Sequence, residues 1–156
     1  MKIVRFTSGG RTEYGVHDGD MVLAIEDGPF GEIVFTHRYY RPTDLQLLPP
    51  CLPSKVVALG VNYQSHGEEM KSALPAEPLL FIKPSTAVVA TEDKIVYHES
   101  SRRVDYEGEL GVVIKKVARR VAEVDAFDYI LGYTCVNDVT ARDLQSRDVQ
   151  WTRAKG

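Results

Sequence analysis

The sequence has little of what would mark a secreted scaffold or a membrane protein. It holds two cysteines among 156 residues, too few for the disulfide framework on which small secreted domains rely. Cys51 follows a Pro-Pro turn and Cys135 lies within an apolar stretch, so two reduced thiols are expected rather than a bridge. No apolar run approaches the roughly 20 residues that span a bilayer, and the N-terminus lacks the apolar core of a secretory signal, so a cytoplasmic setting is expected. Charge of one sign is scarce as well. The 19 basic and 22 acidic residues are interspersed and leave a net charge of −3, which offers no field to recruit nucleic acid or an anionic membrane. The small basic cluster Lys115-Lys116 with Arg119-Arg120 reads as a solvated turn after a strand. There is no internal repeat and no low-complexity tract.

What is present suits a globular chain with a real core: 44% of residues are hydrophobic and 26% are charged. Strand signals dominate. Lys2 to Phe6, Thr12 to Val16 and Met21 to Ile25 are short strand candidates separated by Gly or Asp turns, as in a small meander. Three prolines within Pro49-Pro50-Cys51-Leu52-Pro53 then mark a boundary, because neither regular element continues through them. Further strands are expected at Lys55 to Leu59, Leu79 to Lys83, Ala87 to Ala90, Tyr106 to Lys116 and Ile130 to Val136. A helix is expected over Val121 to Tyr129, with Val121, Val124 and Tyr129 facing a core. The class is therefore mixed and β-rich.

The chemistry concentrates in a few places. Glu107 and Glu109 stand one residue apart at the head of the apolar run Leu110-Gly111-Val112-Val113-Ile114. On a strand they would share a face, about 6.6 Å apart, and repel unless something positive lay between them. A second β-rich stretch, Gly132 to Asn137, ends on Asp138. Three carboxylates from two strands suggest a metal ion, and oxygen ligands without nearby Cys or His favour Mg²⁺, Mn²⁺ or Ca²⁺ over structural zinc. The same spacing also suits a solvated strand face.

Ser65-His66-Gly67-Glu68 has the form of a capping box, which would set His66 in the first turn of a short helix with Glu69 three residues on. The helix dipole favours neutral imidazole there, and Glu69 can orient the ring, an arrangement suited to a general base for water. An exposed histidine on a loop is the plainer alternative. Gly67, Pro75 and Pro78 suit a segment that orders over substrate. Thr140-Ala141-Arg142-Asp143 resembles a second capping box, opening a helix through Arg147 that carries Gln145. Lys155 reads either as a solvated charge or as an ammonium that meets developing negative charge.

Read in order, Gly60-Val61-Asn62-Tyr63-Gln64-Ser65-His66-Gly67-Glu68-Glu69-Met70, Leu80-Phe81-Ile82-Lys83-Pro84-Ser85-Thr86-Ala87, Asp105-Tyr106-Glu107-Gly108-Glu109-Leu110, Asn137-Asp138-Val139-Thr140-Ala141-Arg142-Asp143-Leu144-Gln145 and Trp151-Thr152-Arg153-Ala154-Lys155 resemble the fumarylacetoacetate hydrolase family. The resemblance runs from about Lys55 to the last residue. It implies a β-roll catalytic domain over residues 55–156, here without the family's usual C-terminal portion, preceded by a small N-terminal β domain over residues 1–54. Glu107, Glu109 and Asp138 match the family's metal ligands, His66 and Glu69 its catalytic pair, Lys155 its active-site lysine, and Gln145 a substrate contact. Val149 stands where the animal hydrolases carry a substrate-contacting tyrosine, a departure that bears on the substrate.

The implied enzyme is a homodimer that binds Mg²⁺ or Mn²⁺ and acts on small 2-oxo or 1,3-dicarbonyl acids through an enolate. It would hydrolyse carbon–carbon bonds of acylpyruvate-like substrates, or isomerise or decarboxylate hydroxymuconate-like diacids of aromatic catabolism. The competing expectation is a catalytically inactive half-domain that binds metal or a partner chain, with exposed core faces and unpaired strand edges.

Overall fold

The computed structural model describes residues 1–63 and 75–156. His66, Glu69 and the Ser65–Glu68 capping box lie outside the described residues. Those that are described gather into two compact units, one of Met1–Leu52, Val89–Lys94 and Gly108–Val136, the other of Pro53–Val88, Ile95–Glu107 and Asn137–Gly156. Residues 55–156 are thus shared between the two units. Among the described residues no helix is long and apolar enough to cross a membrane, and both cysteines are free thiols.

The first unit holds a five-stranded antiparallel sheet of β1 (Lys2–Ser8), β2 (Arg11–Asp18), β3 (Met21–Ile25), β4 (Phe35–Tyr40) and β5 (Gln46–Leu48), in the order β4-β3-β2-β1-β5. The sequence dictates the first hairpin locally. Gly9 and Gly10 join β1 to β2 with φ of +54° and +80°, values open to glycine at no steric cost and suited to the right-handed twist of the paired strands. Phe6 on β1 and Val22, Ala24 and Ile25 on β3 are the buried apolar residues of the sheet, with the Phe6 and Tyr40 rings edge to face at 5.1 Å. Gly15 pairs with Ala24 and must stay small: a Cβ there would lie 2.6 Å from Val22 Cγ1 and 2.9 Å from the Leu23 carbonyl oxygen. β9 (Gly108–Ile114) and β10 (Ile130–Asn137) pair as a separate two-stranded ladder.

In the second unit, β6 (Lys55–Gly60) pairs antiparallel with β7 (Leu79–Pro84), and β8 (Val104–Asp105) pairs with β11 (Thr140–Ala141). Two short helices follow, α1 (Arg142–Arg147) and α2 (Thr152–Lys155). Ala141, Leu144 and Ala154 make a small core between them, with Val104 packed against it. The outer face of β6 and β7 is apolar yet exposed in this chain, since Val57 pairs with Ile82 and Leu59 with Leu80 across the ladder.

Several sequence expectations need correction. No strand forms over Ala87 to Ala90; Pro84 ends β7 and a 3-10 turn at Ser85–Ala87 follows, closed by the Val88 amide donating to the Ser85 carbonyl. Val121 to Tyr129 does not form an α-helix. A 3-10 helix over Glu123–Tyr129 takes its place, buries no residue and leaves Val124 86% exposed. Three acids within it, Glu123, Asp125 and Asp128, favour water over a packed face. The strand expected from Tyr106 starts at Gly108, so Glu107 precedes it, although exposure still alternates through Glu107, Glu109, Gly111 and Val113. The Thr140 capping box is not formed: α1 begins at Arg142, and the Thr140 hydroxyl donates back to the Asp138 carbonyl at 3.0 Å.

One ionic contact in the first sheet makes its stability depend on pH. Glu13 on β2 accepts a 2.9 Å hydrogen bond from Arg38 Nε and another from the Tyr40 hydroxyl, both on β4. Burial pushes the Glu13 carboxyl up, but these two donors outweigh it and hold the group below its ordinary value of 4.5. A carboxyl depressed in the folded state contributes stability that is complete above about pH 4.5 and is lost as the pH falls through the lower folded value. Glu13→Gln should cost about 1–2 kcal/mol at neutral pH. Its melting temperature should also vary less than that of the parent between about pH 5 and pH 3. A parallel pair of melting curves over that range would show that Glu13 contributes nothing through its charge.

Candidate functional site

The second unit concentrates charge where its sequence is otherwise apolar. On β7, Phe81 and Lys83 point the same way, and their face carries the inner residues of the unit. Phe81 meets Trp151 edge to face at 5.5 Å. The indole lies over Gly60, where a Cβ would come within 2.9 Å of Trp151 Cζ3, so only glycine admits the ring. Trp151 in turn starts α2: its carbonyl accepts the Ala154 and Lys155 amides, both at 2.9 Å. In this way packing on β6 and β7 fixes the turn that delivers Lys155.

Lys155 is 3% exposed, and its ammonium donates to Glu107 Oε2 at 2.8 Å and to Asp138 Oδ2 at 2.6 Å, with the Phe81 ring 4.9 Å away. Asp138 is 5% exposed and its other oxygen, Oδ1, takes a 2.6 Å bond from Lys83 Nζ. Lys83, 8% exposed, donates also to the Val139 carbonyl at 3.3 Å and to the Lys155 carbonyl. Burial alone would raise the Asp138 carboxyl. The ammonium groups of Lys155 and Lys83 overcome that and hold it below the usual carboxylate range.

Arg142, from the first turn of α1, completes the network. Its Nε reaches Asp105 Oδ2 at 3.0 Å, its Nη1 donates to Gln145 Oε1 at 2.9 Å, and its Nη2 pairs with Glu107 Oε1. The backbone locks the acids to one another, as the Asp138 amide donates to the Glu107 carbonyl at 2.9 Å and the Glu107 amide donates to Asn137 Oδ1 at 3.1 Å. Three carboxylates, Asp105, Glu107 and Asp138, thus face four cations, Lys83, Arg142, Lys155 and the more exposed Arg103 on Asp105. Among the described residues every buried side-chain polar atom has a partner.

Of the residues singled out from sequence, this arrangement brings together Glu107, Asp138, Lys155 and, through Arg142, Gln145. Glu109 is the second residue of β9 and belongs to the other compact unit. Lys83, Arg142 and Asp105 carry the site as well and were not expected to. A signal for Lys83 was present: a lysine two residues after Phe81 on an apolar strand faces the interior and needs an acid partner. Asp143 also differs from expectation, because it pins Ser101 at 2.6 Å and the Arg102 amide at 3.0 Å. The Ser101 hydroxyl accordingly holds the Asp143 carboxyl low.

The donor chemistry is consistent with a hard cation, for Glu107 and Asp138 offer carboxylate oxygens to one shared positive group. Among the described residues, however, no three His, Cys, Asp or Glu side chains converge as a metal cluster.

Comparison with known proteins identifies the family. Residues 55–156 match the model of the fumarylacetoacetate (FAA) hydrolase C-terminal domain, and residues 1–50 match the Rv2993c-like N-terminal domain. A protein of Archaeoglobus fulgidus is 51% identical over 152 residues, covering 97% of this chain and 57% of its own length. The oxaloacetate tautomerase YisK of Bacillus subtilis is 45% identical over 117 residues, covering 72% of this chain and 39% of the enzyme. The crystal structure of 5-carboxymethyl-2-hydroxymuconate delta-isomerase from Mycobacterium smegmatis superposes with a TM-score of 0.90 at 38% identity, over all of this chain and 62% of that one. The chain therefore spans less than two thirds of the length of these relatives. On these matches, and on the β-rich architecture it shares with them, the chain belongs to the fumarylacetoacetate hydrolase family.

Proposed function

We propose that this chain supplies the charged part of an active site that acts on 2-oxo or 1,3-dicarbonyl acids through an enolate. The observation that carries the reading is the buried ammonium of Lys155, shared by Glu107 and Asp138. The names of the relatives, a tautomerase and an isomerase, support proton transfer at a carbon next to a carbonyl as the core step. Hydrolysis of an acylpyruvate-like carbon–carbon bond or decarboxylation would use the same enolate.

Each residue then has a defined task. Glu107, Asp138 and Glu109 are the proposed holders of Mg²⁺ or Mn²⁺, with Ca²⁺ as a substitute, and such an ion would polarise the paired oxygens of the acid. Lys155 places its ammonium beside the carboxylates and would stabilise negative charge as it develops on substrate oxygen. With Oε1 engaged by Arg142, Gln145 presents its amide nitrogen as the group to meet a substrate oxygen. His66, oriented by Glu69, is the proposed base, moving the proton or activating water. Assembly as a homodimer in the cytoplasm is part of the same proposal.

Turnover of oxaloacetate and of an acylpyruvate, assayed with Mg²⁺ or Mn²⁺, tests the reading directly. Lys155→Met should lower kcat by about 10²- to 10³-fold, as removal of a donor to developing oxyanion charge does elsewhere. Unaltered kcat in a folded Lys155→Met protein would leave the ammonium with a purely structural part. For the metal, calorimetric titration with Mn²⁺ should show Glu109→Ala and Asp138→Asn binding at least about tenfold more weakly than the parent. If Glu109→Ala bound Mn²⁺ as the parent does, Glu109 would belong to a solvated strand face. A His66→Ala protein that kept full turnover would remove the proposed base.

A further inference from the structure

We infer that Lys83 is a positioning residue for this site, setting the orientation of the Asp138 carboxylate and the placement of Lys155 with one buried ammonium. The inference rests on the proposed function for its consequence, and on geometry for its substance. A lysine ammonium has three donors and no acceptor. At Lys83 the three meet three acceptors, Asp138 Oδ1, the Val139 carbonyl and the Lys155 carbonyl. None is left to bind substrate, so Lys83 acts through its neighbours.

What it fixes is specific. By occupying Oδ1 it turns Oδ2 toward Lys155 Nζ, 2.6 Å away. By holding the carbonyl of Lys155 itself, it anchors the end of α2 from which that side chain extends. Those two bonds tie β7 to residues 55 and 72 positions further along the chain. A helix of four residues has no length with which to hold itself in register. The ammonium provides that hold, and it is rooted in strand β7 by the pairing of Lys83 with Val56.

Placement and charge can be separated by two substitutions, made in the full protein. Lys83→Arg keeps the charge but replaces a compact three-donor head with a planar fork; Lys83→Met keeps the stem and removes the head. Reductive methylation read by mass spectrometry at Lys155 gives a readout that needs neither metal nor turnover. Lys155 should resist labelling in the parent, whereas both variants should raise its labelling at least about fivefold, with exposed Lys116 unchanged and circular dichroism as in the parent.

Mn²⁺ affinity should fall by about tenfold in Lys83→Arg, the scale on which residues that orient ligands act, and kcat should fall with KM nearly constant. Should Lys83→Met fail to fold, Lys83→Arg carries the test alone. Parent-like labelling of Lys155 in a folded Lys83→Arg protein would overturn the inference, because charge without placement would then suffice. A parent protein that binds no Mn²⁺ and turns over neither acid would overturn the proposed function, while the labelling result would still decide the positioning role.

Discussion

Asp138 carries an ammonium on each of its two oxygens, and the second unit is organised around that fact. A carboxylate buried this deeply is tolerated only when it is paired and hydrogen-bonded. Lys83 supplies one partner from β7 and Lys155 the other from α2. Each lysine then needs further acceptors of its own, which are found in Glu107 and in two carbonyls. Satisfying one acid therefore fixes a strand, two connecting segments and a short helix at once. Removal of any member would leave a buried charge with too few partners, a loss of about 3–5 kcal/mol.

Stability alone does not account for such an arrangement. Replacing a buried ion pair with apolar packing is commonly neutral or favourable, so a network of this size points to a use for its charges. With Arg103 on Asp105, the cations outnumber the three carboxylates by one as they stand, an excess that an anionic ligand would offset. Membership of a family whose relatives include a tautomerase and an isomerase fits this picture.

Much of the fold was legible where local chemistry decides it. Met21 to Ile25 forms a strand with the expected limits, and β1 and β2 extend only a few residues beyond theirs, because Gly9, Gly10 and Gly19 punctuate them. β4 was missed since Phe35-Thr36-His37-Arg38-Tyr39-Tyr40 hides its inward side in polar residues. Thr36 is buried through its hydroxyl bond to the Ala24 carbonyl, and Arg38 and Tyr40 turn to Glu13. Four of the site residues were readable from motifs, but their pairings were not. That Asp138 would be shared by two lysines depends on contacts 17 and 55 residues apart, to which local pattern is blind. The Thr140 cap failed for a local reason, since its hydroxyl turns back to the carbonyl two residues before it.

The long separations within the Lys83 contacts also have a kinetic meaning. Loop-closure entropy must be spent before a distant pair can reward it, so chains dominated by such pairs fold slowly. Here the groups to be joined are charged and hydrated until they meet, and half-formed pairings would strand a carboxylate away from water. The network should accordingly form late and nearly all at once, after the hairpin of β6 and β7 is in place. During biosynthesis the α2 residues emerge after both strands they must reach, so the Lys155 ammonium would dock only once β6 and β7 have already paired.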